Sequence, residues 1–190
     1  IKATNTNKII NKYIVLGDDV SFESENCYEV SYVTLIKDFF KAINSNLNYR
    51  NLSEKSMTSS DLLNLINLKK NEIKNADLIV LSIGVNNVLN TVIQKLCNEL
   101  DLNIESLKNY DETTFDLIIG KYLNGEEINL EVAKEIEKFE KDFPNIIDNI
   151  KNLSPNAEIY VNTVYNPINK KGSIYEYFNE RIKSINEVIT

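Results

Sequence analysis

Two adjacent carboxylates, Asp18 and Asp19, directly follow the apolar run YIVL at residues 13–16. A short apolar run is typical of a strand that is buried in a parallel sheet, and ligands bind beyond the carboxyl ends of such strands. Carboxylates at that point could act as nucleophiles or bind a hard cation. Asp18 could instead be a turn residue whose carboxylate accepts hydrogen bonds from loop amides. The pair therefore marks the first candidate site.

The 190 residues include no histidine. Histidine is the commonest general base, the commonest transition-metal ligand and the usual middle member of a nucleophilic triad. As written, the chain cannot run Ser-His-Asp chemistry. Its two cysteines, Cys27 and Cys97, are too few for a structural zinc site, which needs about four Cys or His ligands. We therefore expect two isolated thiols and no cofactor.

The bulk composition predicts one acidic domain, residues 1–190. A chain of this length with 43% hydrophobic residues can bury one sizeable core. Its formal net charge of -7 repels phosphate backbones, which argues against nucleic-acid binding. No apolar run approaches the roughly 20 residues that span a bilayer, so we expect no transmembrane segment. The chain begins with Ile1 rather than Met, which leaves a removed signal peptide open.

Four short apolar or β-rich runs predict strands, at residues 13–16, 48–52, 77–84 and 158–165. Helical patterns separate them, which favours parallel strands joined by crossover helices. We therefore predict an α/β fold with a doubly wound, flavodoxin-like parallel sheet in the order 2-1-3-4. Between residues 87 and 152 we expect a helical insertion without strands.

Apolar residues recur at helical spacing between these runs. The first helix is predicted by Val33, Ile36, Phe40 and Ile43. Ser60 or Asp61 is expected to cap the second helix. In the insertion, the helical pattern breaks near Asn103, Tyr110, Asn124 and Pro144. Residues 131–143 predict a solvated helix with a buried stripe at Val132, Ile136, Phe139 and Phe143. Residues 174–189 predict a last amphipathic helix.

Four segments follow one another along the chain: YIVLGDDVS at residues 13–21, NLSEKSMTSSDLL at 51–63, LSIGVNN at 81–87 and LSPNAEIYVNTVYNPI at 153–168. In this order they resemble the blocks of the SGNH, or GDSL, hydrolases. The segment YIVLGDDVS resembles their first block, in which a strand ends in Gly-Asp-Ser-Leu/Ile followed by Ser or Thr. LSIGVNN at residues 81–87 resembles the third block, Gly-x-Asn-Asp after a buried strand. NLSEKSMTSSDLL at residues 51–63 resembles the second block. LSPNAEIYVNTVYNPI at residues 153–168 resembles the strand and loop after the helical insertion in GDSL-like lipases of Gram-positive bacteria.

The resemblance implies an acyl-transfer site. In such enzymes a serine attacks the acyl carbonyl, and the oxyanion is bound by the serine amide, a second-block glycine amide and the third-block asparagine. A late Asp-x-x-His supplies the base and its orienting acid. By position, the nucleophile falls on Asp19, the oxyanion glycine on Ser56 and the oxyanion asparagine on Asn86.

Only Asn86 matches the family pattern. Asp19 replaces the serine, Ser56 the glycine and Asn87 the neighbouring aspartate. The chain stops at Thr190, after the helix that normally precedes Asp-x-x-His, so we expect that segment and the last strand to be missing. A carboxylate at residue 19 would oppose the charge of the transition state. We therefore expect an inactive, pseudoenzyme domain that acts as a binding or structural module. Its expected binding residues are Asp18, Asp19, Ser56, Asn86, Asn87 and Tyr165.

Two other interpretations stay open. The chain could represent a GDSL-like esterase or lipase whose serine and Asp-x-x-His are altered or missing here. Alternatively, the acidic pair could bind Mg²⁺ as in a receiver domain, although strand 3 offers Ser82 where a receiver has its phosphorylatable aspartate. A related cation site could add Glu23 and Glu25 to the pair.

The expected partners follow from the same resemblance. A missing final strand would leave an exposed sheet edge, which favours a protein partner or self-association. A small acyl or glycan ligand is the other expected class, and the family often works at cell surfaces, so we expect an extracellular or cell-surface location. An aromatic pocket could be lined by Tyr160, Tyr165, Tyr175 and Tyr177, although tyrosines are frequent in this chain and core or surface packing is their more common role.

Overall fold

The computed structural model describes residues 9–23, 30–101, 103, 120–168 and 172–190. Four strands form one parallel sheet in the order β2-β1-β3-β4. The strands are β1 (Lys12–Gly17), β2 (Asn48–Asn51), β3 (Leu78–Ser82) and β4 (Glu158–Val161). The helices whose two ends both lie within these ranges are α1 (Tyr32–Ile43), α2 (Ser59–Leu68), α3 (Lys70–Ile73), α4 (Val85–Leu100), α5 (Glu126–Leu153) and α6 (Ser173–Ile189). The predicted fold class and strand order are confirmed.

The contacts between residues divide the chain into two compact units. The first comprises Ile1–Met57, Leu62–Ser82 and Ile146–Asn162, and it contains the whole sheet with α1 and α3. The second comprises Thr58–Asp61, Ile83–Asn145 and Thr163–Thr190, and it contains α4 and α6. Helices α2 and α5 contribute residues to both units.

The core of the first unit is built on its two central strands. All residues of β3, and all of β1 after Lys12, are buried, as expected for parallel strands covered on both faces. The edge strands β2 and β4 are shorter and are only partly buried. Burying each large aliphatic side chain of β1 and β3 contributes about 1.5–3 kcal/mol, so these two strands supply a substantial part of the stability of this unit.

Helix α1 covers one face of this sheet. It begins after Ser31, whose hydroxyl accepts a hydrogen bond from the Val33 amide at 3.3 Å. The chain moves in one direction from β1 to β2 and in the other from β2 to β3. Right-handed crossovers therefore place α1 on the face opposite α2 and α3. The cluster beneath α1 contains Ile10, Tyr13, Val15, Val33, Leu78 and Val80.

The second unit packs α4 against α6. The amide side chain of Asn186 holds the segment before α6 by a pair of bonds. Its Oδ1 accepts from the Val164 amide at 2.7 Å, and its Nδ2 donates to the Val164 carbonyl at 2.9 Å. The side chains of Phe139 and Ile185 pack against Gly84, the residue before α4. A Cβ at Gly84 would lie 2.7 Å from the Ile185 Cγ2 atom.

The predicted cap of α2 is wrong, by two residues for Ser60 and by three for Asp61. The helix begins at Ser59, and the hydrogen bonds of Thr58 identify it as the cap. The amide of Thr58 donates to the Asp61 carboxylate at 3.0 Å, while the Asp61 amide donates to the Thr58 hydroxyl at 3.4 Å. This reciprocal arrangement is a capping box, in which Asp61 supplies the second member rather than the cap itself.

The predicted break at Pro144 is also wrong, because α5 runs through it from Glu126 to Leu153. A proline inside a helix costs about 3 kcal/mol, since it removes a hydrogen bond and crowds the preceding turn. Buried residues continue at helical spacing on both sides of it, at Phe139, Phe143, Ile146 and Ile150. Burial of this stripe outweighs the local cost.

The remaining expectations for the insertion hold in part. Val132, Phe139 and Phe143 are buried as expected, whereas Ile136 is half-buried. A turn occurs at Asn124, and α4 ends before Asn103, while Tyr110 lies outside the described residues. The described residues between 87 and 152 contain no strand.

The last predicted strand is shorter than expected, since β4 ends at Val161. Across the ranges described, none of the helices combines the length and apolarity needed to cross a membrane.

We expect Gly17→Ala to destabilise the protein by about 3 kcal/mol or more, because overpacking and backbone strain each cost about 1–3 kcal/mol. The added Cβ would lie 1.8 Å from the Ser82 carbonyl oxygen, and the φ of +129° at Gly17 is unfavourable for alanine. Urea unfolding followed by circular dichroism measures the change. Gly120→Ala is the matched control, since a Cβ there meets nothing closer than 3.5 Å. Equal losses in both variants would contradict the close approach at Gly17.

Candidate functional site

The carboxyl end of β1 is tied to two neighbouring elements. The Asp18 amide donates to the Ser82 carbonyl at the end of β3, at 2.9 Å. On the other side, the Leu52 amide donates to Val15 at 2.9 Å and the Glu54 amide donates to Gly17 at 3.0 Å. The loop after β2 therefore continues the parallel pairing beside β1. This pairing brings Ser56 close to the residues that follow Gly17.

Asp18 is fully buried at this end of the sheet. Its Oδ1 accepts from the Val20 amide and from the Ser82 hydroxyl, each at 3.3 Å. Its Oδ2 has no hydrogen-bond partner among the described residues. Burial, followed by the nearby charge of Asp19, raises the pKa of Asp18 to about 7, and the two hydrogen bonds offset only part of this effect. The expected turn role of Asp18 accounts for only one of its two oxygens.

Asp19 reaches the loop after β2. Its Oδ2 accepts a hydrogen bond from the backbone amide of Ser56 at 2.9 Å, across 37 positions of sequence. Ser56 has a φ of +58°, in the left-handed region. Few residues other than glycine adopt that region readily. The residue that the family resemblance aligned with a glycine thus has a backbone conformation that favours glycine.

Asn87 bonds to the start of α2. Its Oδ1 accepts from the Ser59 amide, and its Nδ2 donates to the Ser59 hydroxyl, both at 3.0 Å. The hydroxyls of Ser59 and Ser60 in turn donate to the Asp142 carboxylate of α5, at 2.8 and 2.7 Å. Ser59 is fully buried. This cluster lies within the second unit and ties the first turns of α2 and α4 to α5.

The other predicted site residues occupy different places. Asn86 is buried in the first turn of α4, in the second unit. Tyr165 lies in the same unit and is 63% exposed. The structure therefore brings Asp19 and Ser56 into direct contact, and Asn87 into contact with Ser59. The convergence of Asn86 with Asp19 and Ser56 stays a prediction.

A second polar cluster lies beside α1, and the sequence analysis did not predict it. Glu23, considered only as a cation ligand, accepts hydrogen bonds from Thr34, Tyr49 and Asn51. Burial alone would raise the pKa of Glu23, but these three bonds outweigh it and hold the pKa below its ordinary value. The donors are 11, 26 and 28 positions away along the chain, so no local pattern marks them.

The carboxylates of Asp18, Asp19 and Glu23 therefore each bond to different residues of the protein. Glu25 lies outside the described residues. Over the part of the chain that the structure describes, no three His, Cys, Asp or Glu side chains group in a way that could hold a metal ion. Ser82, at the position where a receiver has its aspartate, is buried and donates to Asp18.

Replacing Ser56 tests its backbone conformation. We expect Ser56→Gly to be more stable than Ser56→Ala by about 1 kcal/mol, because alanine resists a positive φ and both variants lack the hydroxyl. Thermal and urea unfolding of the two proteins measure this difference directly. An alanine variant as stable as the glycine variant would contradict the left-handed conformation at this residue.

Asp18 should make the stability of the protein depend on pH. The unfolded chain releases this proton near pH 3.8, whereas the folded protein holds it to about pH 7. Stability from this group is therefore complete below pH 3.8 and falls as the pH rises to 7, by at most about 4 kcal/mol. Asp18→Asn should remove most of this fall and be more stable than the unchanged protein at pH 8.

The comparison needs unfolding free energies at pH 5 and pH 8. Asp38→Asn is the control, since the Asp38 side chain is 63% exposed. If Asp18→Asn and Asp38→Asn change the pH dependence equally, Asp18 does not hold its proton through burial.

Comparisons with known proteins bear on the fold. No protein-family model matches the sequence, and no curated protein sequence matches it significantly. Among solved structures, phospholipase A1 from Streptomyces albidoflavus matches with a TM-score of 0.60 and 15% identity, over 95% of this chain and 74% of that one. An extracellular lipase from Streptomyces rimosus matches with a TM-score of 0.57 and 15% identity, over 94% of this chain and 74% of that one.

A lipase from a goat rumen metagenome gives a similar result, with a TM-score of 0.57 and 16% identity over 94% of this chain and 73% of that one. Sequence identities this low establish a shared fold and leave the chemistry open. The chain therefore has the hydrolase-like α/β fold of these lipases and of the phospholipase.

Proposed function

We propose that this chain is an SGNH hydrolase-like domain that has lost esterase chemistry and serves as a binding module. One observation carries the proposal: the Asp19 carboxylate accepts the hydrogen bond of the Ser56 amide at 2.9 Å. By the resemblance, that amide is the donor that would bind an oxyanion during acyl transfer. Here the donor is already engaged by a carboxylate of the chain itself.

The electrostatic argument supports the same conclusion. A transition state for acyl transfer places negative charge at the oxyanion, and removing a single donor costs about 10²–10³ in rate. A carboxylate at residue 19 both engages such a donor and adds a like charge beside the reacting centre. Ground-state hydrogen bonding of Asp19 therefore replaces transition-state stabilisation.

The conformation of Ser56 supports the alignment behind this proposal. A non-glycine residue at a φ of +58° is strained, which is what a serine in place of an ancestral glycine would show. Asn87 adds a further departure, since it bonds to buried Ser59. An extracellular location is the matching proposal, supported by the extracellular lipase among the structures that share the fold.

The test is hydrolysis of a chromogenic short-chain acyl ester by the purified protein. We expect no saturable turnover by the unchanged chain, and none by Asp19→Ser, because a nucleophile without its base recovers little of the acceleration. Circular dichroism checks that each variant is folded, and an authentic SGNH esterase is the positive control.

Two outcomes separate the proposal from its alternatives. Saturable turnover by the unchanged chain that is lost in Asp19→Asn would refute it and indicate a carboxylate nucleophile. Turnover that appears only when Asp19→Ser is combined with a grafted Asp-x-x-His segment would support it, since the pocket would then be retained without its chemistry.

A further inference from the structure

Helix α1 carries an apolar stripe that solvent reaches. Leu35, Phe39 and Ile43 are 60%, 61% and 65% exposed. They are four residues apart, so they follow one side of the helix over about two turns. Isolated exposed apolar residues are ordinary, whereas an aligned set on one helix is typical of a contact surface.

The two sides of α1 face different strands. The Lys37 Nζ atom lies 5.4 Å from the ring centroid of Tyr49 in β2, so the side of α1 that carries Lys37 faces β2. On the other side, the Tyr32 hydroxyl accepts a hydrogen bond from the Asn162 side chain, just after β4, at 2.7 Å. At about 100° per residue, Phe39 lies on the Tyr32 side and away from Lys37. The apolar stripe therefore borders β4.

The face of β4 beside this stripe is also open. Glu158 and Tyr160 are in register with Leu78 and Val80, so the four side chains lie on one face of the sheet. Helix α1 packs over Leu78 and Val80, which are buried. Tyr160 is 49% exposed, and its hydroxyl donates to Glu158 at 3.2 Å.

The dimensions of the layers explain this opening. Parallel strands lie about 4.8 Å apart and a helix is about 10 Å wide, so one helix covers about two strands. Helix α1 covers β1 and β3, so β4, which is about half as wide as a helix, lies beyond its edge. We call this surface the α1–β4 notch, formed by Leu35, Phe39, Ile43 and Tyr160 with Asp38 and Glu158 at its rims.

We propose that the α1–β4 notch binds an amphipathic helix of a partner protein, with Lys or Arg flanking its apolar stripe. A helix that packs beside α1, at the usual axis separation of about 8–10 Å, would lie over β4 and the edge of the sheet, and its apolar stripe would cover Leu35 and Phe39. Both rim side chains, Asp38 and Glu158, are carboxylates, and the chain has a formal net charge of -7. Basic flanks would complement this charge, whereas an acidic helix or an anionic membrane would be repelled.

A synthetic peptide tests the notch directly. The probe is a fluorescent helix of about 16 residues, or four to five turns, with leucines along one side and lysines flanking them. We expect saturable binding in fluorescence anisotropy, weakened at least about tenfold by Phe39→Asp and by Leu35→Asp. Leu68→Asp is the matched control, because Leu68 is an apolar helix residue that is 83% exposed outside the notch. Hydrogen exchange should show peptide-dependent protection of α1 and β4.

Three results would overturn the proposal. The first is equal binding of a scrambled peptide with the same composition, which would indicate general attraction to an acidic protein. The second is an equal loss in Leu68→Asp. The third is a dimer in sedimentation that Phe39→Asp dissociates, which would make a second copy of this chain the occupant. Circular dichroism confirms folding of each variant. The notch contains neither Asp19 nor Ser56, so its test is independent of the esterase assay.

Discussion

The close approach of β1 and β3 at their carboxyl ends is the contact on which the rest of this structure depends. Gly17 lies so near the Ser82 carbonyl that a side chain there has no space. The same carbonyl accepts the hydrogen bond of the Asp18 amide. Because the backbone is held at this point, the next two side chains have little freedom. Asp18 turns into the protein, and Asp19 reaches the amide of Ser56.

Two neighbouring carboxyl groups consequently have opposite environments. Burial favours the protonated form of Asp18 and raises its pKa, whereas Asp19 accepts a hydrogen bond from a backbone amide. In a cation site both carboxylates would face one ion. Here they contact different elements, β3 and the loop after β2, and this arrangement argues for an internal, structural use of the acidic pair.

The first unit presents two surfaces that do not share residues. One is the end of the sheet, where Asp19 engages Ser56. The other is the α1–β4 notch, where Phe39 and Tyr160 remain exposed. A change at the first surface need not alter the second, because the two surfaces use different side chains on one buried sheet core.

The amino-acid sequence by itself determined the four strands, their parallel direction and their order, because buried runs and crossover handedness are local or general properties. The order of its blocks also predicted that Asp19 and Ser56 would lie at one site. Only the tertiary structure decided the contact of Ser59 with Asp142, the continuity of α5 through Pro144 and the environment of Asp18. These depend on side chains that are distant in sequence, and on burial energies that outweigh local helix propensity.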